Sequence, residues 1–285
     1  MRLSLLPTCF LLFAALHQEH DKPLPEQTSF MEEVRKNLHG PDKLLSRYTY
    51  TEKETEITLD SKGKIKKTET NLYHMFHGAE EWQTYERRIS KNGVPLTQKE
   101  LEEQDRKEKE RVDKETRKRA SWSEAKRQQE KAKTEREERE SADDIFATFE
   151  YQLVRREMIN GVSTILVNFK PKKNYKPKTG DAKELQHVAG RFWIAEDDHE
   201  FVKLDAEVID QIKIGAGLLA KLQKGSTLGI ELRKINDEIW LPVKFEMSLN
   251  GRLLLLKGLN MRIIVEFSEH KKFNVDTILD FREIP

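Results

Sequence analysis

The side chains that could do chemistry are few, and their spacing does not assemble them. His74 and His77 are three apart in a segment that reads as a strand, which puts them on opposite faces and rules out a shared metal. His199 falls in an expected turn, and His270 lies near the end of the last strand beside Lys271 and Lys272. Each reads as an ordinary solvated histidine. Glu266 and Glu269 read as surface carboxylates, because nothing around them argues for the burial an acid–base pair needs. The chain has no Gly-rich phosphate loop, no HExxH pair and no serine in a Gly-flanked elbow. Cys9 is the one cysteine. The expectation is a protein without catalysis, metal or cofactor.

What the sequence does carry is an apolar face. Ile239, Leu241, Val243, Phe245, Met247 and Leu249 alternate with mostly polar residues, and Met261, Ile263, Val265 and Phe267 repeat the pattern after Asn250-Gly251. Period-two alternation specifies a strand with one apolar side. Trp82, Phe192, Trp193 and Trp240 also fall in expected strands, with Trp240 opposite the stripe, and residues 253–256 are apolar on both faces. Such a face is either an ordinary core under a helix or the wall of a site for an apolar chain. In the second case Leu241, Val243, Phe245, Met247, Ile263 and Val265 would line it. The segment IKIGAGLLAKL (residues 212–222), flanked by Lys213, Lys221 and Lys224, would then form a mouth at Leu218, Leu219 and Leu222, or else plug the sheet edge.

The surrounding elements follow in order. Arg2 precedes an apolar run, LSLLPTCFLLFAAL (residues 3–16), shorter than the roughly 20 residues that span a bilayer. It fits a signal peptide over residues 1–20, cut between Ala15 and Asp21, and implies a soluble periplasmic or secreted product. Cys9 lies inside the apolar run, which argues against a lipid anchor, and its removal leaves no thiol for a disulfide. Thr28 or Ser29 can cap a helix whose stripe is Phe30, Val34 and Leu38, ended by Gly40-Pro41. Strands follow through residue 96, with turns at Ser61-Lys62-Gly63 and Lys91-Asn92-Gly93.

Charged residues make up 35% of the chain, against about 25% for ordinary globular proteins. The excess sits in residues 97–140. There Thr97 and Glu100 have capping-box spacing, and Glu102–Arg106, Glu103–Lys107 and Glu110–Lys114 are opposite charges at i,i+4. Ser121 and Glu124 repeat the box, so two solvated helices are expected, as a spacer, hairpin or coiled coil. The net charge is +1, which offers no whole-molecule attraction to nucleic acid. From Asp143 onward, Asn160-Gly161, Asp197-Asp198-His199 and Asn236-Asp237 punctuate further hairpins. The organisation is therefore a signal peptide (1–20), a helix and first strands (21–96), a charged helical insertion (97–142) and the remaining strands of the same domain (143–285).

The run GRFWIAEDDHEFVKLDAEVI (residues 190–209) resembles a hairpin typical of the bacterial outer-membrane lipoprotein-sorting and carrier group, the LolA/LolB-like proteins, matched here by Gly190, Trp193, Ile194, Val202 and Lys203. SKNGVPLT and GSTLGIEL with IWLP look like an exported subfamily of that fold. The resemblance spans residues 27–96 and 143–285, and the long charged segment departs from it. It implies an α+β fold: a half-open twisted antiparallel β-barrel with helices over its concave face, here with a long charged helical insertion. It also implies non-catalytic periplasmic binding or carriage of a lipid or lipoprotein acyl chain. The alternative is a cell-envelope protein-interaction or sensing module that uses the insertion, with an envelope protein as partner.

Overall fold

The computed structural model describes residues 22–38, 47–78, 81–214, 220–253 and 257–272. The expected signal peptide, the Gly40-Pro41 stop, residues 254–256 and the mouth residues Leu218 and Leu219 lie outside the described residues.

Chain order is α1 (Gln27–Asn37), β1 (Tyr48–Leu59), β2 (Ile65–Phe76), β3 (Tyr85–Lys91), β4 (Val94–Pro95), α2 (Gln98–Ala120), α3 (Glu124–Thr148), β5 (Phe149–Ile159), β6 (Val162–Pro171), α4 (Gly180–Leu185), β7 (Val188–Ala195), β8 (Phe201–Val208), β9 (Ile212–Ile214), β10 (Ala220–Leu222), β11 (Thr227–Ile235), β12 (Ile239–Leu253) and β13 (Lys257–Lys272). The strands form one antiparallel sheet in the order β4-β3-β2-β1-β13-β12-β11-β8-β7-β6-β5, with β10 paired to β12 and β9. The chain starts in the middle of the sheet and works outward to β4. It then crosses through α2 and α3 to β5, the opposite edge, and meanders back until β13 pairs with β1. The sheet is open, as expected.

Local chemistry explains the corners. Asn92-Gly93, Asn160-Gly161 and Asn236-Asp237 all have both residues at positive φ, the geometry that matches a two-residue turn to strand twist. The alternation of β12 is broken once. Glu231 pairs with Lys244 and Leu232 with Pro242, which leaves Val243 as an extra, bulged residue. Pro242 has no N–H for the ladder, so the bulge falls where pairing is weakest.

The helices correct three details. The cap of α1 is Glu26, not Thr28 or Ser29: its carboxylate accepts from the amides of both. Ser121 ends α2 and Ser123, not Ser121, caps α3, whereas the Thr97–Glu100 box forms as expected. Helix α3 runs beyond Glu140 to Thr148, so Ile145 and Phe146 reach the core as helical residues.

Nor is the charged segment wholly solvated. Helix α2 lies along β3 on a polar stripe: Asp105 accepts from Tyr85 Oη at 2.8 Å and Arg87 Nη2 at 3.0 Å, and Gln104 bonds the Arg88 backbone. Arg119 stacks over Trp82 and Trp122. Residues 123–129 and 131–140 of α3, by contrast, are all exposed.

Two carboxylates, one buried and one half-buried, hold the architecture at its joints. Asp144, near the end of α3, accepts from Tyr175 Oη, Thr179 Oγ1 and the amides of Lys178 and Thr179 at 2.6–2.9 Å. Burial alone would raise its pKa, but these donors outweigh it and hold the carboxyl at about 2. Glu196 is held at about 2 by the Arg156 guanidinium. Both groups are depressed on folding, so their stabilisation is complete above the unfolded value near 4 and is lost as pH falls toward 2. Asp144→Ala should cost about 2–3 kcal/mol in urea unfolding at pH 7, because several buried donors lose their acceptor. Its melting temperature should also fall less steeply than wild type between pH 4.5 and 2.

Candidate functional site

Register aligns one face of the sheet strand by strand. A first row reads Leu153, Val167, Phe192, Leu204, Ile230, Phe245 and Val265 from β5 to β13, then Glu54 and Asn71 on β1 and β2. A second row reads Tyr151, Phe169, Gly190, Ala206, Leu228, Met247 and Ile263, then Glu56 and Glu69. Directly opposed residues share a face. The face is therefore apolar across seven strands and turns acidic at β1.

Helix α1 lies on the β5–β8 half, burying Phe30, Met31 and Val34 against Val167, Phe169 and Phe192. Contact is incomplete. A cavity of about 340 Å³ remains between Met31, Val34 and Leu38 of α1, Ile145 and Phe146 of α3, and a floor of Tyr151, Phe169, Phe192, Leu204, Leu228, Met247 and Leu249. Leu185, Val188, Val208, Ile212 and Leu222 continue the wall toward α4, β9 and β10. Glu207, Ser226 and Thr227 are the polar residues on the wall. Space at the floor comes from the second row, where Gly190 sits opposite Ala206. A Cβ on Gly190 would lie 2.2 Å from the Asp205 carbonyl oxygen, so the strands can approach this closely only over glycine.

Of the residues expected to line a site, Met247 borders the cavity, as does Leu222 of the expected mouth. Phe245, Ile263 and Val265 share its face and its two rows but lie further along them, toward β1. Leu241 is buried with Tyr48 and Ile239 in a separate cluster, and Val243 is the bulged residue. Most of the strand residues on the wall come from β5–β8, whose aromatic content and Gly190 were the available signal.

Several histidines are packed, not solvated. Tyr50 Oη lies 3.1 Å from His77 Nε2, and the His77 and His270 rings sit 5.4 and 5.5 Å from the Tyr50 ring. Burial pushes both imidazoles down. His199 packs on Phe30 at 5.0 Å. Among the described residues no group of three His, Cys, Asp or Glu side chains could hold a metal ion.

No protein-family model matches the chain, and no curated protein does. Solved structures are similar to it at low identity. The LolA superfamily protein NE2245 from Nitrosomonas europaea is 9% identical with a TM-score of 0.33, over 88% of this chain and 95% of its own. A DUF1329 family protein from Desulfovibrio piger is 12% identical with a TM-score of 0.34, over 92% and 98%. A domain from Vibrio parahaemolyticus described as outer membrane lipoprotein-sorting is 10% identical with a TM-score of 0.33, over 90% and 95%. The group that the 190–209 run resembles is thus also present among the similar structures.

The acidic side of the face has its own signature. Glu52, opposite Phe267 and Tyr73, is pushed up to about 7 by burial, with Glu86 and Glu54 adding repulsion. A carboxyl raised on folding destabilises progressively as pH rises from its unfolded value near 4.5 to about 7. Glu52→Gln should therefore raise the melting temperature at pH 8 and leave it nearly unchanged at pH 4.5. An equal gain at both pH values would show that charge is not the cause.

Proposed function

We propose that the protein binds a single apolar chain of the acyl type beneath α1, as a carrier or binding protein without a chemical step, in an exported, periplasmic setting. The cavity carries this reading. Its volume lies at the small end of the roughly 300–1,000 Å³ range of ligand sites, and its wall is almost wholly apolar. An apolar wall left facing water forgoes on the order of 25 cal/mol for each Å² that a ligand could cover. A chain of methylenes recovers that energy without needing polar partners. No described helix is long and apolar enough to cross a membrane.

One observation favours a second reading, an envelope protein partner on α3. Residues 131–140 are exposed all round and alternate in charge, a surface without a covering element among the described residues.

Titration with a fluorescent fatty acid tests the first reading. Leu204→Trp places bulk in the cavity and should weaken the probe's affinity at least tenfold while the melting temperature holds or rises. Folded wild-type protein that binds no acyl probe overturns the proposal. Loss of a co-purifying envelope protein when residues 123–140 are replaced by a neutral helix of equal length would support the second.

A further inference from the structure

Beside the apolar cavity lies a polar hollow of about 560 Å³, formed by α4 and the chain around the start of β9. The same two segments build both. Leu185 and Val188 face the cavity, while Lys183, Glu184 and His187 face the hollow. Likewise Val208 is on the cavity wall, and Asp210, Gln211 and Lys213 are on the hollow's. Ile212 lines both. The apolar space and the charged one thus adjoin at Ile212.

We infer that the ligand is amphipathic and places a phosphate-bearing headgroup in this hollow while its chain lies in the cavity. The inference rests on the acyl-binding reading and adds the chemistry of the head. The charges favour an anion. Lys183 and Lys213 face the hollow from different elements, and Lys213 stands directly opposite Lys221 in the β9–β10 pair. Like charges opposed across strands repel, and a bound anion relieves that repulsion. Among the described residues none of these three lysines reaches a carboxylate within salt-bridge distance. The hollow's two acids, Glu184 and Asp210, offset two of these charges, and Asp210 lies 3.8 Å from His187 Nδ1, so the three lysines leave one positive charge in excess, and a second whenever that imidazole is protonated. A phosphate carries up to two charges and several acceptors, so it can engage both lysines at once, with Gln211 as a further donor.

The test compares lysophosphatidylglycerol with a monoacylglycerol of the same chain length, both below micelle-forming concentration. Wild-type protein should bind the phosphate-bearing probe at least tenfold more tightly, and added salt should narrow the gap. In the double variant Lys183→Glu, Lys213→Glu the preference should vanish, while monoacylglycerol affinity and melting temperature stay unchanged. Equal affinity for the two probes in wild type, or a preference that survives in the double variant, overturns the inference and leaves the cavity reading intact. Glycerol phosphate binding as tightly as the lysolipid would assign the hollow to a free phosphate and also overturn it. Binding of neither lipid would remove the acyl reading itself.

Discussion

One geometric mismatch governs this molecule: the apolar face is wider than the helix that covers it. The face crosses seven strands, about 29 Å at ~4.8 Å per spacing. Helix α1 has 11 residues and is therefore about 16 Å long. It can seal only part of that width, and it sits on β5–β8, where Phe169 and Phe192 offer the most area. The cavity, the half-buried Phe245 and Ile263, and the change to glutamates at β1 follow from that shortfall. Beyond the reach of α1, the strand β1 carries Glu52, Glu54 and Glu56 on this face in place of apolar side chains.

A roof this small must be fixed by more than apolar contact. The segment before it is held by Arg156, whose guanidinium donates to the Lys22 and Pro23 carbonyls while paired with Glu196. Gln27 bonds the β5 backbone at Tyr151 and Leu153. The far end is tied by Asn37 to the Asp198 carbonyl and by Arg35 to Asp143 of α3. These polar ties fix the helix in position yet add no apolar area, so they hold the roof without filling the space beneath. The Arg35–Asp143 pair also joins the roof to α3, and so to the charged segment.

Much of the fold was legible in the sequence. The Asn-Gly turns, the alternation in β13 and in β12 beyond its bulge, and the Phe30–Val34 stripe each encode a local rule that the tertiary structure leaves intact. The candidate site was less legible, for a physical reason. Alternation states which face is apolar but not what lies over it, so the stripe with the cleanest period drew attention while the cavity formed on β5–β8. The bulge at Val243 was hidden because the flanking residues preserve the apparent period. Docking of α2 was hidden because its contact stripe is polar: Gln104 and Asp105 look like solvated positions until Tyr85, Arg87 and the Arg88 backbone are brought beside them. The reach of α3 was missed because Ile145 and Phe146 read equally well as the start of a strand.

The path of the chain also has a kinetic meaning. Because the first strand in sequence pairs with the last, Asn260 bonds the carbonyl of Asp60 across 200 residues. Contacts of that separation close late and slowly, since the entropy of a long loop must be lost before they form. Until β13 arrives, β1 is the bare edge of a sheet already formed with β2 and β3, and the amides and carbonyls on its open side are unmatched. A chain made from its N-terminus onward leaves this edge unpaired until β13 has been made, and until then it exposes the kind of edge that invites mispairing. The lysines and glutamates that crowd β1 and β2 then matter twice: they keep the finished face wet, and they keep the waiting edge from joining other strands.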